Sequence, residues 1–408
     1  MIKKKLTFGE ITPKICLAIL LVISGTLVMA SDASDASIAG GGGILTVKET
    51  DETMTIDGLA TEAAWNSANQ FSFEAMEGVQ ANTTTAIMKA LFDTNNVYLL
   101  FIWTDASATE SVWESGWVYS SGSFAHIANA NPSIYESAEE DRLALIWDIN
   151  TFGFEDDTCY ALCHEWPSST NETAGHDEKS GMYTDGEGER ADEWHWKAAR
   201  SNPLGIAHDK YIHYVDADGT AAADWDSEGG HSGDGESWYS KNINATENGP
   251  KYFEPNATGE DAKSILQSEI DSGEAILVAG NESQLTSGQK IPGRILDEAV
   301  AVGDVADVKA KGTFSGGVWT LEMKRALDTA SEFDTTFDLE KTNYFGIAVF
   351  DDGGHFPQHA QNARNGLRFE GHYVDTEESS TDYLVILLGL GVLALLVKPR
   401  IRRSNIES

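Results

Sequence analysis

The sequence predicts a mostly β protein: an antiparallel β-sandwich with long irregular loops between its strands. Three observations lead to this fold class. Short segments alternate apolar and polar residues, turn-forming Gly, Asp and Asn separate them, and a polar middle region shows little periodicity. Apolar runs near both ends of the 408-residue chain add an N-terminal signal peptide and a C-terminal transmembrane helix to the prediction.

Individual strands are predicted where apolar and β-branched residues are bounded by turn residues. Asp93–Asn96 separates two such segments and predicts a β-hairpin. The strand predictions fall at residues 85–91, 97–103, 142–149, 318–323 and 344–350. Residues 165–259 are rich in Asp, Gly, Ser and Trp, and we expect long loops there because no period persists. A short helix is predicted within residues 260–272.

Both ends of the chain carry membrane or export signals. Lysines precede an apolar run at residues 15–30, which is the order of a secretory signal peptide; an uncleaved anchor is the alternative. A second apolar run at residues 383–397 is followed by Lys and Arg, which favours a tail anchor with the bulk of the chain outside the cytoplasm. The predicted organisation is a signal peptide at 1–30, a flexible spacer at 31–45, the sandwich domain at 46–373, a stalk at 374–382, the anchor at 383–397 and a cytoplasmic basic tail at 398–408.

Charge narrows the classes of partner. The formal net charge is −37, and such an acidic surface argues against nucleic acid, whose phosphates require Lys and Arg. Acceptor sequons for N-glycosylation suit a surface protein, and they occur at Asn82, Asn171, Asn244, Asn256 and Asn281.

The pattern with the clearest chemistry is Cys159, Cys163 and His164, in the order C-x-x-x-C-H. In the related C-x-x-C-H signature two thiolates attach a c-type haem and the histidine ligates its iron. Three alternatives stay open: a short disulfide loop, a zinc site that adds His176, and two buried unpaired thiols.

Residues 191–203 place aromatic and cationic side chains close together. Trp194 and Trp196 could form flat apolar walls for a porphyrin, because aromatic rings pack against it. Lys197 and Arg200 are cations of the kind that pair with its propionates. The alternative is that the tryptophans belong to a Trp-rich sandwich core.

With these motifs the chain resembles the haem-binding gamma subunit of ethylbenzene dehydrogenase and its relatives among DMSO-reductase-type enzymes, in the branch with a c-type attachment site. The resemblance spans residues 46–373. The matching residues are Ile56–Gly58, Glu62, Trp65, Val97–Leu99, Trp103–Asp105, Glu140–Leu143, Trp147, Cys159–His164, Asp192–Pro203, Ile291–Leu296, Val318–Glu322, Arg325–Leu327 and Ile347–Asp352.

The resemblance implies a β-sandwich that holds one haem at one end. The family's b-type members ligate iron with a methionine and a lysine, and this chain departs from that pattern because no lysine follows Phe350 closely. His164 is therefore the expected proximal ligand and His355 the expected distal one, with His359 as second choice. Met182 and His195 are less favoured.

The predicted function is that of a membrane-anchored, extracytoplasmic c-type haem protein that transfers electrons. Its expected partner is a redox protein, either a molybdenum oxidoreductase or another cytochrome. No motif proposes a substrate-converting site. The alternative is a non-haem cell-surface module resembling carbohydrate-binding domains, in which exposed tryptophans stack on sugar rings. The candidate tryptophans are Trp113, Trp117, Trp225 and Trp238.

Overall fold

In the computed structural model most regular structure is β, as the alternating segments predict. The structure describes residues 43–76, 83–105, 113–128, 139–164, 181–214, 231–233, 238–256, 263–351 and 360–374. In chain order the strands are β1 Ile44–Glu49, β2 Gln70–Met76, β3 Thr83–Phe92, β4 Asn96–Thr104, β5 Trp117–Ser120, β6 Ser123–His126, β7 Arg142–Asp148, β8 Cys163–His164, β9 Gly181–Met182, β10 Arg190–Lys197, β11 His208–His213, β12 His231–Gly233, β13 Tyr239–Lys241, β14 Tyr252–Phe253, β15 Ile265–Leu266, β16 Ile276–Leu277, β17 Lys290–Ile291, β18 Arg294–Leu296, β19 Lys309–Ser315, β20 Val318–Ala326, β21 Asn343–Phe350 and β22 Ala360–Phe369. The helices are short: α1 Ala64–Ser67, α2 Phe154–Asp157, α3 Cys159–Leu162 and α4 Gln267–Ser272, with 3₁₀ turns at Asn202–Leu204, Glu282–Gln284 and Asp304–Ala306.

One twelve-stranded sheet forms both layers of the sandwich. Its strand order is β12-β11-β10-β7-β21-β22-β1-β3-β4-β20-β19, with β2 beside β3 and β22. The sheet curls so that its two halves face each other: the ring of Trp196 on β10 lies 5.0 Å from Trp319 on β20 and 6.1 Å from Trp103 on β4. The predicted layers are present, but they are halves of a continuous sheet. Small sheets of β5, β6 and β13–β18 lie outside it, and β8 pairs with β9 alone.

Strand β1, which lies between β22 and β3 in this sheet, departs from the antiparallel prediction. Strand β1 runs parallel to β22, with Ile44 opposite Gly366, and parallel to β3, with Lys48 opposite Leu91. The other pairs in the large sheet are antiparallel. The first strand of the described chain therefore joins the two halves of the sandwich.

The prediction of long loops across residues 165–259 is wrong for its middle part. Strands β10 and β11 lie inside the large sheet, and β10 pairs with both β7 and β11 along most of its length. Asp192 and Glu193 are both buried in β10, so charged residues occupy positions that a sheet usually gives to apolar ones. Because charged residues occupy these buried positions, β10 lacks the alternation of apolar and polar residues that predicts a strand.

The predicted hairpin is confirmed by β3 and β4, which pair from Ala86–Trp103 to Phe92–Val97. Asp93 closes its turn: Oδ1 accepts hydrogen bonds from the backbone N–H of Asn95 at 2.7 Å and of Asn96 at 2.8 Å. The predicted helix within 260–272 is present only as α4.

The predicted export and membrane segments lie outside the described residues, as do the spacer before Gly43, the stalk from residue 375 and the basic tail. Within the described ranges no helix has the length and apolar character needed to cross a membrane. The domain boundaries stay a prediction.

Candidate functional site

The C-x-x-x-C-H motif is divided between two short elements. Residues 159–162 form α3, and Cys163 and His164 form β8, which pairs with Gly181–Met182 of β9. Leu162 is fully buried and belongs to an apolar cluster with Ile146 and Ile212 on the outer face of the sheet. The structure describes the backbone of Cys159, Cys163 and His164 but not their side chains, and His355 and His359 lie outside the described residues.

Trp194 and Trp196 lie in the sandwich core. Neither side chain is exposed to solvent, and the Nε1–H of Trp196 donates to Oδ1 of Asn202 at 3.1 Å. Gly312 on the facing half packs so closely that an added Cβ would lie 2.4 Å from the Trp196 ring. The core alternative is therefore the correct one for both tryptophans.

Lys197 and Arg200 are engaged within the protein. The Arg200 guanidinium pairs with Glu140 through Nε, and Glu140 also accepts the backbone N–H of Ala199 at 2.6 Å and of Arg200 at 2.9 Å. The Lys197 ammonium lies 3.4 Å from Nδ1 of His208. The charged groups of Lys197 and Arg200 therefore both contact other side chains of the protein.

Arg200 belongs to a buried carboxylate–guanidinium network, which we define as Glu114, Glu139, Glu140, Arg142, Arg200 and Arg294. Glu114 is its centre: Oε1 accepts from Nη2 of Arg294 at 2.7 Å, and Oε2 accepts from Nη2 of Arg142 at 3.3 Å. Burial alone raises the pKa of Glu114, but the charges of Arg200, Arg142 and Arg294 outweigh it and hold that pKa well below its usual range. The network joins segments far apart in the chain.

Sequence reasoning missed Glu114 and Arg294 as partners because 180 positions separate them. The signal that was present is Gly293. An added Cβ there would lie 2.2 Å from the carbonyl oxygen of Ser115, so only glycine permits this close approach of the two segments. The network is structural, because its carboxylates accept hydrogen bonds from its own guanidinium groups.

His195 lies on the outer face of the same strands, opposite Ala144 on β7 and His208 on β11. Its ring stacks on Phe350 with 5.3 Å between centroids, and its Nδ1 lies 3.5 Å from Oε1 of Glu193. Burial, followed by the charge of Lys197, lowers the pKa of His195 well below its ordinary value, so the imidazole is neutral at pH 7.

An open cleft lies at the other half of the sandwich, where the chain leaves β1 and meets the β3–β4 turn. This polar cleft has a volume of about 400 Å³. It is lined by residues 49–54, by the turn residues Asp93, Thr94 and Asn96, by Tyr98 and by Lys324. The side chains offer hydroxyl, amide and ammonium donors together with carboxylate acceptors, which is the mixture that a polyhydroxylated ligand needs.

The wall of the polar cleft is held in place by hydrogen bonds. The Tyr98 hydroxyl donates to Oδ2 of Asp93 at 2.6 Å, and the Lys324 ammonium lies 5.5 Å from the Tyr98 ring centroid. Burial raises the pKa of Asp93, but the hydrogen bonds from Tyr98, Asn95 and Asn96 outweigh it and lower that pKa. Asp93 is therefore ionised at pH 7 and holds the turn rigid.

The prediction of exposed tryptophans for sugar stacking is wrong for three of its four candidates. Trp113, Trp117 and Trp238 are all buried, with Trp113 the most exposed at 8%. Trp225 lies outside the described residues.

Comparison with solved structures finds carbohydrate-binding modules. A family 9 carbohydrate-binding module from Caldicellulosiruptor kristjanssonii in complex with cellotriose is 10% identical, with a TM-score of 0.29, and covers 82% of this chain and 96% of its own. A carbohydrate-binding protein from Bacteroides uniformis is 10% identical, with a TM-score of 0.32, and covers 81% of this chain and 100% of its own. A search of curated proteins finds no match.

The prediction of a covalently bound haem is wrong, and with it the predicted electron-transfer function. No cysteine pair at the distance of a c-type haem attachment occurs among the side chains that the structure describes. The expected walls, Trp194 and Trp196, are enclosed in the core, and Arg200 is neutralised by Glu140. The expected redox partner stays a prediction.

The family is settled by the sequence itself. The family model described as ethylbenzene dehydrogenase matches residues 62–360, which is most of the chain and includes the strands of the large sheet from β2 to β21. The chain therefore belongs to the ethylbenzene dehydrogenase family.

Proposed function

We propose that this chain is an extracytoplasmic binding module and that its polar cleft binds a neutral saccharide. The observation that carries the proposal is the cleft itself, an open recess of about 400 Å³ lined by donors and acceptors on a rigid sheet. That volume lies in the range of small-molecule sites. The predicted signal peptide and the predicted anchor at residues 383–397 support a position at the outer cell surface.

The negative charge of the polar cleft favours neutral over anionic saccharides. The cleft contains four acidic residues, Glu49, Asp51, Glu52 and Asp93, and one basic residue, Lys324. Uronic and sulfated sugars carry negative charge, and the acidic excess repels them. We infer that neutral sugars bind better than anionic sugars of the same size.

Lys324→Ala tests the proposal at the donor side of the cleft. A hydrogen bond from a charged donor contributes about 1.5–3 kcal/mol, so the variant is expected to bind a neutral oligosaccharide at least about tenfold more weakly. Isothermal titration calorimetry with a panel of neutral oligosaccharides measures the change. Lys324 is half-buried on β20 and faces Tyr98, so circular dichroism checks that the fold is kept.

The matched control is Lys241→Ala, an exposed lysine on β13 away from the cleft, which is expected to bind as the wild type does. Glucuronic acid oligomers serve as the anionic comparison. Wild-type protein that binds no saccharide in the panel, or a Lys324→Ala variant with unchanged affinity, would contradict the proposal.

A further inference from the structure

Four aspartates lie close together, and none of them is among the residues that line the polar cleft. Asp192 on β10 and Asp209 on β11 lie on neighbouring strands, since Trp194 pairs with Asp209 and Asp192 with Tyr211. Asp334 comes from the segment between β20 and β21, and Asp307 follows the 3₁₀ turn at Asp304–Ala306. Carboxylate oxygens of Asp192, Asp209 and Asp334 all lie within 4.8 Å of one another.

Several of these oxygens are buried without a hydrogen-bond donor. Asp209 is fully buried, and neither of its carboxylate oxygens accepts from an N–H or O–H donor of the described residues; its neighbour Asp307 is a second carboxyl group, with which it can pair only through a shared proton. Oδ1 of Asp192, of Asp334 and of Asp307 is likewise buried without one. Buried carboxylate oxygens are normally paired, because an unsatisfied buried polar group costs free energy. The described residues therefore supply no donor to these oxygens.

The partners that do contact the cluster use its other oxygens. Nη1 of Arg325 donates to Oδ2 of Asp192 at 2.5 Å, and the backbone N–H of Thr335 donates to the same oxygen at 3.0 Å. The Thr329 hydroxyl donates to Oδ2 of Asp334 at 2.6 Å. Arg325 brings one positive charge to four carboxyl groups, and its second nitrogen, Nη2, donates to the Thr335 carbonyl.

The excess negative charge has a measurable consequence. Burial, followed by the charge of Asp192, raises the pKa of Asp209 well above its ordinary value, and the same two causes raise the pKa of Asp334 to about 7. Without a cation the raised pKa values favour protonated carboxyl groups, and Asp334 is partly protonated at pH 7. A bound cation would stabilise the ionised carboxylates in place of those protons.

We propose that Asp192, Asp209 and Asp334, with Asp307 beside them, bind one calcium ion. Calcium takes oxygen ligands at about 2.3–2.6 Å, so two ligands of one ion lie at most about 5 Å apart, and the oxygens of this cluster satisfy that limit. Magnesium requires about 2.0–2.1 Å and keeps its waters, which this buried centre suits poorly. The ion would join β10, β11 and the segments before β19 and β21.

The test compares thermal unfolding of the full chain in EDTA and in calcium chloride. Calcium at about 100 times its dissociation constant is expected to raise the unfolding midpoint by roughly 3–5 °C. Asp209→Asn removes one charge with little change of shape, so it is expected to lose most of this shift while it stays folded in EDTA. Calorimetry is expected to show one fewer calcium bound to Asp209→Asn than to the wild type.

Asp304→Asn is the matched control, because Asp304 is exposed on the 3₁₀ turn that precedes Asp307. It is expected to keep the full calcium shift. The proposal is overturned if calcium leaves the wild-type midpoint unchanged, if Asp209→Asn keeps the wild-type shift and stoichiometry, or if acidification from pH 8 to pH 6 stabilises the protein equally with and without calcium. The last result would show that protons alone fill the cluster.

Discussion

Glu114→Gln is expected to lower the free energy of unfolding by about 3–5 kcal/mol, the cost of removing one partner from a buried ion-pair network. Glu114 is 4% exposed and accepts from Arg294 and Arg142, with Arg200 at 3.7 Å. Glutamine keeps the shape but leaves three guanidinium groups with less negative charge. Denaturation by urea, extrapolated to water, measures the change.

Glu139→Gln in the same network is the control, because it also replaces a carboxyl group by an amide of the same shape. Burial, followed by the charge of Glu114, raises the pKa of Glu139 to about 7, although Arg142 lies 2.6 Å away. A carboxyl group whose folded-state pKa exceeds its unfolded value of 4.5 binds protons more tightly in the folded state, so its contribution to stability falls as the pH rises from about 4.5 through 7. Glu139→Gln is therefore expected to cost little at pH 5 and to reduce that fall in stability between pH 5 and pH 8.

The loss in Glu114→Gln is expected at both pH values, because the pKa of Glu114 lies far below 5. Equal losses in the two variants would mean that hydrogen-bond geometry, rather than charge, stabilises this network.

Trp196→Ala is expected to destabilise the protein by about 3–5 kcal/mol, the range for truncating a large core aromatic. Trp196 is fully buried, contacts Trp103 and Trp319 across the two halves of the sandwich, and fits against Gly312. Its removal leaves a cavity where the layers meet. Chemical denaturation measures the loss, and intrinsic fluorescence monitors the remaining tryptophans.

Phe152→Ala provides the comparison for that variant. Phe152 is 88% exposed, so its truncation is expected to change stability by no more than about 0.5 kcal/mol. A Trp196→Ala variant as stable as Phe152→Ala would show that the two halves do not depend on this contact.

The sequence predicts those strands well in which one face is apolar throughout. Segments such as residues 97–103 and 344–350 were recognised because most of their side chains are buried and apolar. Strand β10 was not recognised, because Asp192, Glu193 and Lys197 are buried beside its tryptophans. A buried charge is stable only with its partners, and those partners are contributed by other strands, which local periodicity does not reveal.

The candidate sites show the same limit. The sequence predicted Trp196 as a porphyrin wall and Lys197 and Arg200 as propionate partners, whereas the structure places Trp196 in the core and pairs Arg200 with Glu140. The polar cleft joins Asp93, whose turn was visible in the sequence, to Lys324, which comes opposite Tyr98 only through strand register. Register between distant strands is a property of the folded sheet.

The parallel strand β1 sets the order in which this protein can complete its folding. Residue Gly43, at its start, hydrogen-bonds with the side chain of Asn365 across 322 positions of sequence. Strand β1 can therefore complete its pairing only after β22, more than 300 positions later in the chain, has been synthesised. Contacts so distant in sequence slow folding, and until β22 arrives the flanking strands have open edges that can pair with other chains. The nascent protein therefore keeps these open strand edges until β22 has been synthesised and has paired with β1.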